Sequence, residues 1–173
     1  MVIGFFYELM LHLFVMKPHK TYTVNEAQKA LEHYCAYQER CHIEVQTKLN
    51  NMNMIPQAQE IIILHLLKEN FLSEERFAKA YARGKFVIKH YGRIRIEMGL
   101  KQKQISSYLI KKGLEEIDAD LYLKTISDLI EKKVASISEL NPYKKKKKII
   151  DYMLRKGYEY PLIDEAVRKY IKF

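Results

Sequence analysis

Residues 71–105 read FLSEERFAKAYARGKFVIKHYGRIRIEMGLKQKQI, and the folding of this stretch decides the rest of the chain. Ser73 is placed to cap a helix, its hydroxyl accepting from a free backbone N–H, and Glu74 and Glu75 suit the positive end of the dipole behind it. Phe77, Ala80, Tyr81, Gly84 and Ile88 keep helical spacing and form the expected buried stripe. Gly92 is expected to end this helix as a left-handed C-cap. A short basic helix follows over about residues 93–103, with Ile96 and Leu100 one turn apart on its inner face. Ile105 comes five residues after Leu100.

The Ile96-x3-Leu100 pairing recurs. Val45-x3-Leu49 stands 51 residues before it and Ile150-x3-Leu154 stands 54 residues after it. Each pair falls in the middle one of three helices. In the first unit Thr23-Val24-Asn25-Glu26 is a capping box opening a helix on which Val24, Ala27, Leu31, Tyr34 and Cys35 keep helical spacing. A second helix runs from about Cys41 to Asn50. Pro56 opens a third whose residues 58–67 are apolar almost all round, which predicts a central helix packed on several sides. In the second unit Ser106 opens the third helix, with Leu109, Ile110, Gly113 and Leu114. In the last unit Asp118 caps a long helix carrying Tyr122, Ile126, Leu129, Ile130 and Val134. Asn141-Pro142 opens its middle helix, which stops at Gly157, and Pro161 starts the final one. Met54 follows Leu49 by five residues, as Ile105 follows Leu100, whereas Tyr158 is one position short of that register after Leu154. The expected fold is all-α: three tandem three-helix repeats, about 23–70, 71–117 and 118–173, in a single domain forming a short, elongated, curved helical solenoid.

Composition points the same way. With 48% hydrophobic residues among 173, the chain is not of the disordered class. Gly 6 and Pro 4 are too few breakers for a sandwich or barrel, which needs a turn about every eight to twelve residues. Two cysteines, Cys35 and Cys41, make no disulfide scaffold and fit a reducing, cytoplasmic compartment. Residues 1–16, MVIGFFYELMLHLFVM, are apolar but short of the about 20 residues that span a membrane, and they carry Glu8. Lys17 and Lys20 follow the apolar run rather than precede it, against a signal peptide. The leader, residues 1–22, has three readings: an over-extended start ahead of Met16, a docking helix, or an anchor. It stays outside the fold argument.

Catalytic signatures are missing from the sequence. It contains no P-loop, no G-x-G-x-x-G and no H-E-x-x-H. His33 and His42 lie near Cys35 and Cys41, but the spacing is not that of a zinc knuckle or finger, so buried thiols and surface histidines are expected. His65 is expected to be a hydrogen-bonded core histidine. Glu115, Glu116, Asp118 and Asp120 read as caps and dipole partners. With no nucleophile–base pair in view, the chain is expected to be no enzyme, with no metal, no cofactor and no small-molecule substrate.

What stands out is charge. Lys and Arg total 30 against 21 Asp and Glu, a net +9 that calls for an anionic partner. One cluster comprises Lys85, Lys89, Arg93, Arg95, Lys101 and Lys103. The other is the run Lys144 to Lys148, continued by Arg155 and Lys156. Lysines in the first turn after Pro142 oppose the helix dipole at about 0.3–1 kcal/mol each. Lys144 and Lys148 repel each other one turn apart. Counted back from Ile150 and Leu154, Lys146 and Lys147 fall on the buried stripe and must snorkel. A run that breaks three local rules together points to an anion-facing role. Tyr143, Tyr152, Tyr158 and Tyr160 around it allow base stacking, though helical spacing puts most of them in packing roles.

The combination Phe71, Glu74-Glu75, Arg76-Phe77-Ala78, then Gly92 ahead of a basic helix with Ile96, Leu100 and Ile105, resembles the RecX family. The resemblance is strongest over residues 60–117, and the threefold repeat extends it to about 24–173. Gln104 stands where the family favours Gly, Gly99 lies inside the short helix, and the apolar leader is not a family feature. The resemblance implies a non-catalytic bacterial modulator of the RecA recombinase. Such a protein binds RecA and its filament on DNA, restrains filament assembly, strand exchange and SOS co-protease activity, and acts as a monomer with at most weak direct DNA binding. The RecA/DNA-facing side chains would be Lys85, Lys89, Arg93, Arg95, Lys101, Lys103, Lys144, Lys145, Lys147, Lys148 and Arg155. The competing expectation is a basic helical DNA-binding protein that acts without RecA. A third is a membrane-tethered adaptor using residues 1–16.

Overall fold

The computed structural model describes residues 21–171, so the apolar leader lies outside them. Among the described residues the regular structure is helical throughout: α1 Val24–Tyr37, α2 His42–Asn51, α3 Pro56–Lys68, α4 Glu74–Lys89, α5 Arg93–Gln102, α6 Ser107–Leu114, α7 Ala119–Ser136, α8 Pro142–Lys156 and α9 Tyr160–Arg168. Thr23 and Glu26 form the reciprocal capping box, and Ser73, Ser106, Asp118 and Asn141 each accept from a free N–H at their helix start. No helix among the described residues is long and apolar enough to cross a membrane.

The middle helix of each repeat ends in one and the same turn. Asn53, Gln104 and Gly157 take φ of 56°, 59° and 88°. The next N–H, from Met54, Ile105 and Tyr158, donates back to the carbonyl of Leu49, Leu100 and Met153, at 3.2 Å in all three. This is the six-to-one bond of a Schellman end, which satisfies a carbonyl that the helix leaves free. Gln104 therefore keeps the turn in left-handed backbone, in the place where glycine would enter without strain.

That turn corrects the register of the third repeat. Its inward pair is Ile149 and Met153, both fully buried, whereas Leu154 is 43% exposed. Adjacent apolar pairs, Ile149-Ile150 and Met153-Leu154, fit the four-residue spacing equally well, and the sequence pattern took the wrong member of each. With the shift, Tyr158 falls five residues after Met153, in step with Met54 and Ile105.

Gly92 is also reassigned. The left-handed residue closing α4 is His90, at φ 51°, while Gly92 is an extended N-cap to α5. Glycine is required there by close approach instead. The Gly92 N–H donates to the Lys156 carbonyl at 2.8 Å, and a Cβ on Gly92 would sit 2.2 Å from the Gly157 oxygen. A Cβ on Gly157 would in turn lie 2.5 Å from the Arg95 nitrogen.

Two cores result. Ala27, Leu31, Val45, Leu49, Ile62 and Leu66 build the first, within the first repeat. The second is continuous through repeats two and three, from Phe77 and Phe86 past Tyr122 and Tyr158 to Val167. Cys41 of the first repeat is seated in this second core. The Arg76–Glu39 ion pair, at 2.8 Å, and the Lys103–Glu44 pair cross the same boundary. Two expectations fail here. The stripe of α4 is Phe77, Ala78, Ala82 and Phe86, and Ile88 is 72% exposed. α3 is not central: it packs on α1 and α2 and leaves Ile61, Leu64 and Leu67 bare.

The turn yields opposite expectations at equivalent positions. Gly157→Ala strains the backbone and strikes Arg95, and should cost more than about 2 kcal/mol. Gln104→Gly relieves a left-handed Cβ against a smaller unfolded-state entropy cost and should stabilise by about 0.5 kcal/mol. Urea unfolding of both variants measures this. Burial also pushes the Cys35 thiol from an ordinary 9.0 up to about 11 and raises Cys41, Tyr122 and Tyr158 as well. The unfolded chain loses these protons first, so rising pH favours it. Stability should fall as pH climbs from 9 towards 11, and Cys35→Ala should flatten the early part of that fall.

Candidate functional site

The loop between α4 and α5 crosses the turn between α8 and α9 at Gly92 and Gly157, and this crossing organises the charge. Beneath it the Tyr122 hydroxyl accepts from the Arg93 N–H at 3.0 Å and donates to Glu159 Oε2 at 2.6 Å. Arg93 lays its guanidinium 4.1 Å from the Tyr122 ring and 4.0 Å from Glu159. Phe86, Tyr122 and Tyr158 pack in sequence with ring centres 5.6 and 5.2 Å apart. Burial, and then the Glu159 hydrogen bond, drive the Tyr122 phenol far above its ordinary range, so it stays protonated. Arg93 is half-buried and serves the fold.

Above the crossing the two sequence clusters meet. Arg95 Nη1 donates to the Arg155 carbonyl at 3.0 Å, and Lys156 Nζ donates to the Lys89 carbonyl at 3.1 Å. Tyr91 lies 4.0 Å from the Arg95 guanidinium and 6.0 Å from Lys156 Nζ. Tyr152 lies 5.8 Å from Lys156 and 5.2 Å from Lys133. Burial and the Arg95 charge lower the Lys156 pKa. Among the described residues Lys89, Arg95, Lys133, Arg155 and Lys156 pair with no carboxylate. A crowded, partly desolvated cation with aromatic faces beside it is relieved by an incoming anion. Sequence reasoning left Lys133, Tyr91 and the central place of Lys156 unassigned. No local sequence signal says that these neighbours meet; the close approach of Gly92 and Gly157 brings them together.

The other expected contacts lie elsewhere. Lys101 pairs with Glu97 at 2.6 Å on its own helix, and Lys103 is taken up by Glu44. Lys85 sits 5.1 Å from the Tyr81 ring, in a cleft between repeats one and two. In the lysine run the corrected register turns Lys145 and Lys146 inward, while Lys147 is 78% exposed and pairs with Asp151 at 3.0 Å. Lys146 reaches Asp164 and Lys148 reaches Glu139, both at 2.8 Å. Those lysines hold the Asp164 and Glu139 carboxyls below their usual range. Local carboxylates thus account for much of a run that the sequence left unexplained, and Lys144 and Lys145 alone of the five have no carboxylate pair among the described residues. Of the motif residues, Arg76 bonds Glu39 and Asn70, Ala78 packs under Gly113, and Ile96, Leu100 and Ile105 are core. His65 is hydrogen-bonded as expected, to Glu32 at 2.7 Å and Gln28 at 3.1 Å, though at a half-exposed position.

Residues 73–114 match the second three-helix domain of RecX, and residues 120–167 match the third. The chain belongs to the RecX family. It is 30% identical over 132 residues to the regulatory protein RecX of Clostridium botulinum strain Alaska E43, covering 75% of this chain and 61% of that one. To the regulatory protein RecX of Clostridium botulinum strain Eklund 17B it is 32% identical over 113 residues, 64% of this chain and 52% of that one. The chain thus spans about half to three-fifths of the length of these curated RecX relatives. The crystal structure of RecX from Lactobacillus salivarius superposes with a TM-score of 0.76 at 24% identity, covering 84% of this chain and 95% of that one, a likeness of fold.

If the crowded lysine is kept for an anion, Lys156→Gln should separate binding from stability. The variant should leave a heparin column at lower salt than the parent, while its urea midpoint stays equal or rises. Salt elution and urea unfolding of the two proteins check this.

Proposed function

We propose that this RecX-family chain is a non-catalytic modulator of the RecA recombinase. It binds RecA and the RecA filament on DNA, and mainly inhibits filament assembly, strand exchange and co-protease activity in DNA repair and the SOS response. It acts in the cytoplasm, without cofactor and without leaving the monomeric state. The observation that carries this reading, beside the family itself, is the uncompensated cation seam at the Gly92–Gly157 crossing. Arg95 and Lys156 are held there by hydrogen bonds to the carbonyls of Arg155 and Lys89 rather than by carboxylates, and the side chains of Lys89 and Arg155 stand beside them, ready for phosphates or acids in a filament groove. Lys144 and Lys145, at the opposite end of α8, are likewise without a carboxylate pair among the described residues. Lys101, Lys103, Lys147 and Lys148 direct their charge to Glu97, Glu44, Asp151 and Glu139.

The second reading is direct DNA binding without RecA, favoured by the tyrosine faces of Tyr91 and Tyr152 among the cations. Adding the protein to RecA, single-stranded DNA and ATP separates the two. Under the first reading, sub-stoichiometric protein slows filament growth and ATP hydrolysis; unchanged rates would sink it. Replacing Arg155 and Lys156 together by Gln should weaken filament binding about tenfold at low salt and flatten the salt dependence, because the slope scales with the phosphates contacted. Equal affinities across a salt series would remove the seam from the contact.

A further inference from the structure

The face of α4 that the sequence pattern assigns to the core opens instead onto a cleft of about 380 Å³ between the first and second repeats. Its floor is Ala80, Gly84 and Ile88, one turn apart along the helix. Glycine is a poor residue for a helix interior, and Gly84 has no packing reason to be there. A Cβ on any other glycine among the described residues would strike a neighbour within 2.8 Å, whereas on Gly84 it would meet nothing within 4 Å. Ile88 is left in water one turn on. On the facing wall Glu39 gives one carboxylate oxygen to Arg76, and its other oxygen is buried with no hydrogen bond. At the rim Lys85 and Lys89 have no carboxylate partner among the described residues.

We propose that this cleft docks a protein segment of the RecA filament, a contact that adjoins the phosphate-facing seam at Lys89. The segment lays an apolar side chain over Gly84 against Ile88 and sets a carboxylate against Lys85 and Lys89. The floor of Ala80, Gly84 and Ile88 offers a phosphate backbone no hydrogen-bond donor, whereas it suits an apolar side chain flanked by a carboxylate, which is why the occupant is protein and not nucleic acid. The proposal rests on the RecA reading above.

The test uses the full chain and RecA filaments on single-stranded DNA. Gly84→Leu fills the cleft where space is open and improves the helix, so urea stability should hold or rise. Filament binding should fall at least tenfold, Gly84→Ala should lie between, and heparin elution should not change. If the parent binds filaments and Gly84→Leu binds within twofold of it, the cleft proposal is overturned while the RecA reading stands. If the parent itself fails to bind filaments, the RecA reading falls, and the cleft with it. A parent self-dimer, seen by sedimentation and lost in Gly84→Leu, would assign the cleft to a second copy and likewise overturn the proposal.

Discussion

The hydrogen bond from the Gly92 N–H to the Lys156 carbonyl, at 2.8 Å, is the constraint on which the second and third repeats depend. Two backbones meet there with no Cβ between them, and Ile94 adds a second bond to the Gly157 carbonyl at 3.1 Å. Such contact fixes the relative position of two helix pairs more tightly than side-chain packing does, because neither partner has a rotamer to adjust. Everything near it follows. Tyr122 reaches Glu159 under the crossing, and Tyr158 donates to the His90 carbonyl at 3.2 Å beside it.

The distribution of charge separates lysines that hold the fold from cations left for a partner. Lys146 and Lys148 look extravagant in sequence, since one falls on the expected buried stripe and the other repels Lys144 one turn away. Asp164 and Glu139, brought from other elements, answer them. Exposed pairs of this kind contribute little net stability, but they remove the charge from the list available to an anion. The seam has no such answer. Its lysine with the lowered pKa sits against Arg95, a repulsion that the free chain tolerates.

Helix positions were legible because caps are local: Thr23, Ser73, Ser106, Asp118 and Asn141 each announce a start within three residues. The repeat was legible as well, through a buried pair and a third apolar residue five further on. Its register in α8 was not, since Ile149-Ile150 and Met153-Leu154 offer two equal stripes, and only the turn geometry at Gly157 decides between them. The same ambiguity misplaced the α4 stripe, where Ala78 and Ala82 compete with Ala80 and Gly84. Long-range contacts were the least legible. Nothing in the spacing of Arg95 and Arg155, 60 residues apart, says that they touch.

The division into two cores bears on how the molecule comes apart. Repeats two and three share one hydrophobic interior and should open together, as a single cooperative unit. The first repeat has its own interior, joined to the rest by the seat of Cys41 and by the Glu39–Arg76 and Glu44–Lys103 pairs. Ionic joints of this kind loosen in salt, while a shared apolar core does not. The first repeat is therefore the segment whose amides exchange with solvent before the global transition. A molecule built in this way has a stiff two-repeat body and a first repeat that can re-seat against whatever surface the body has already found.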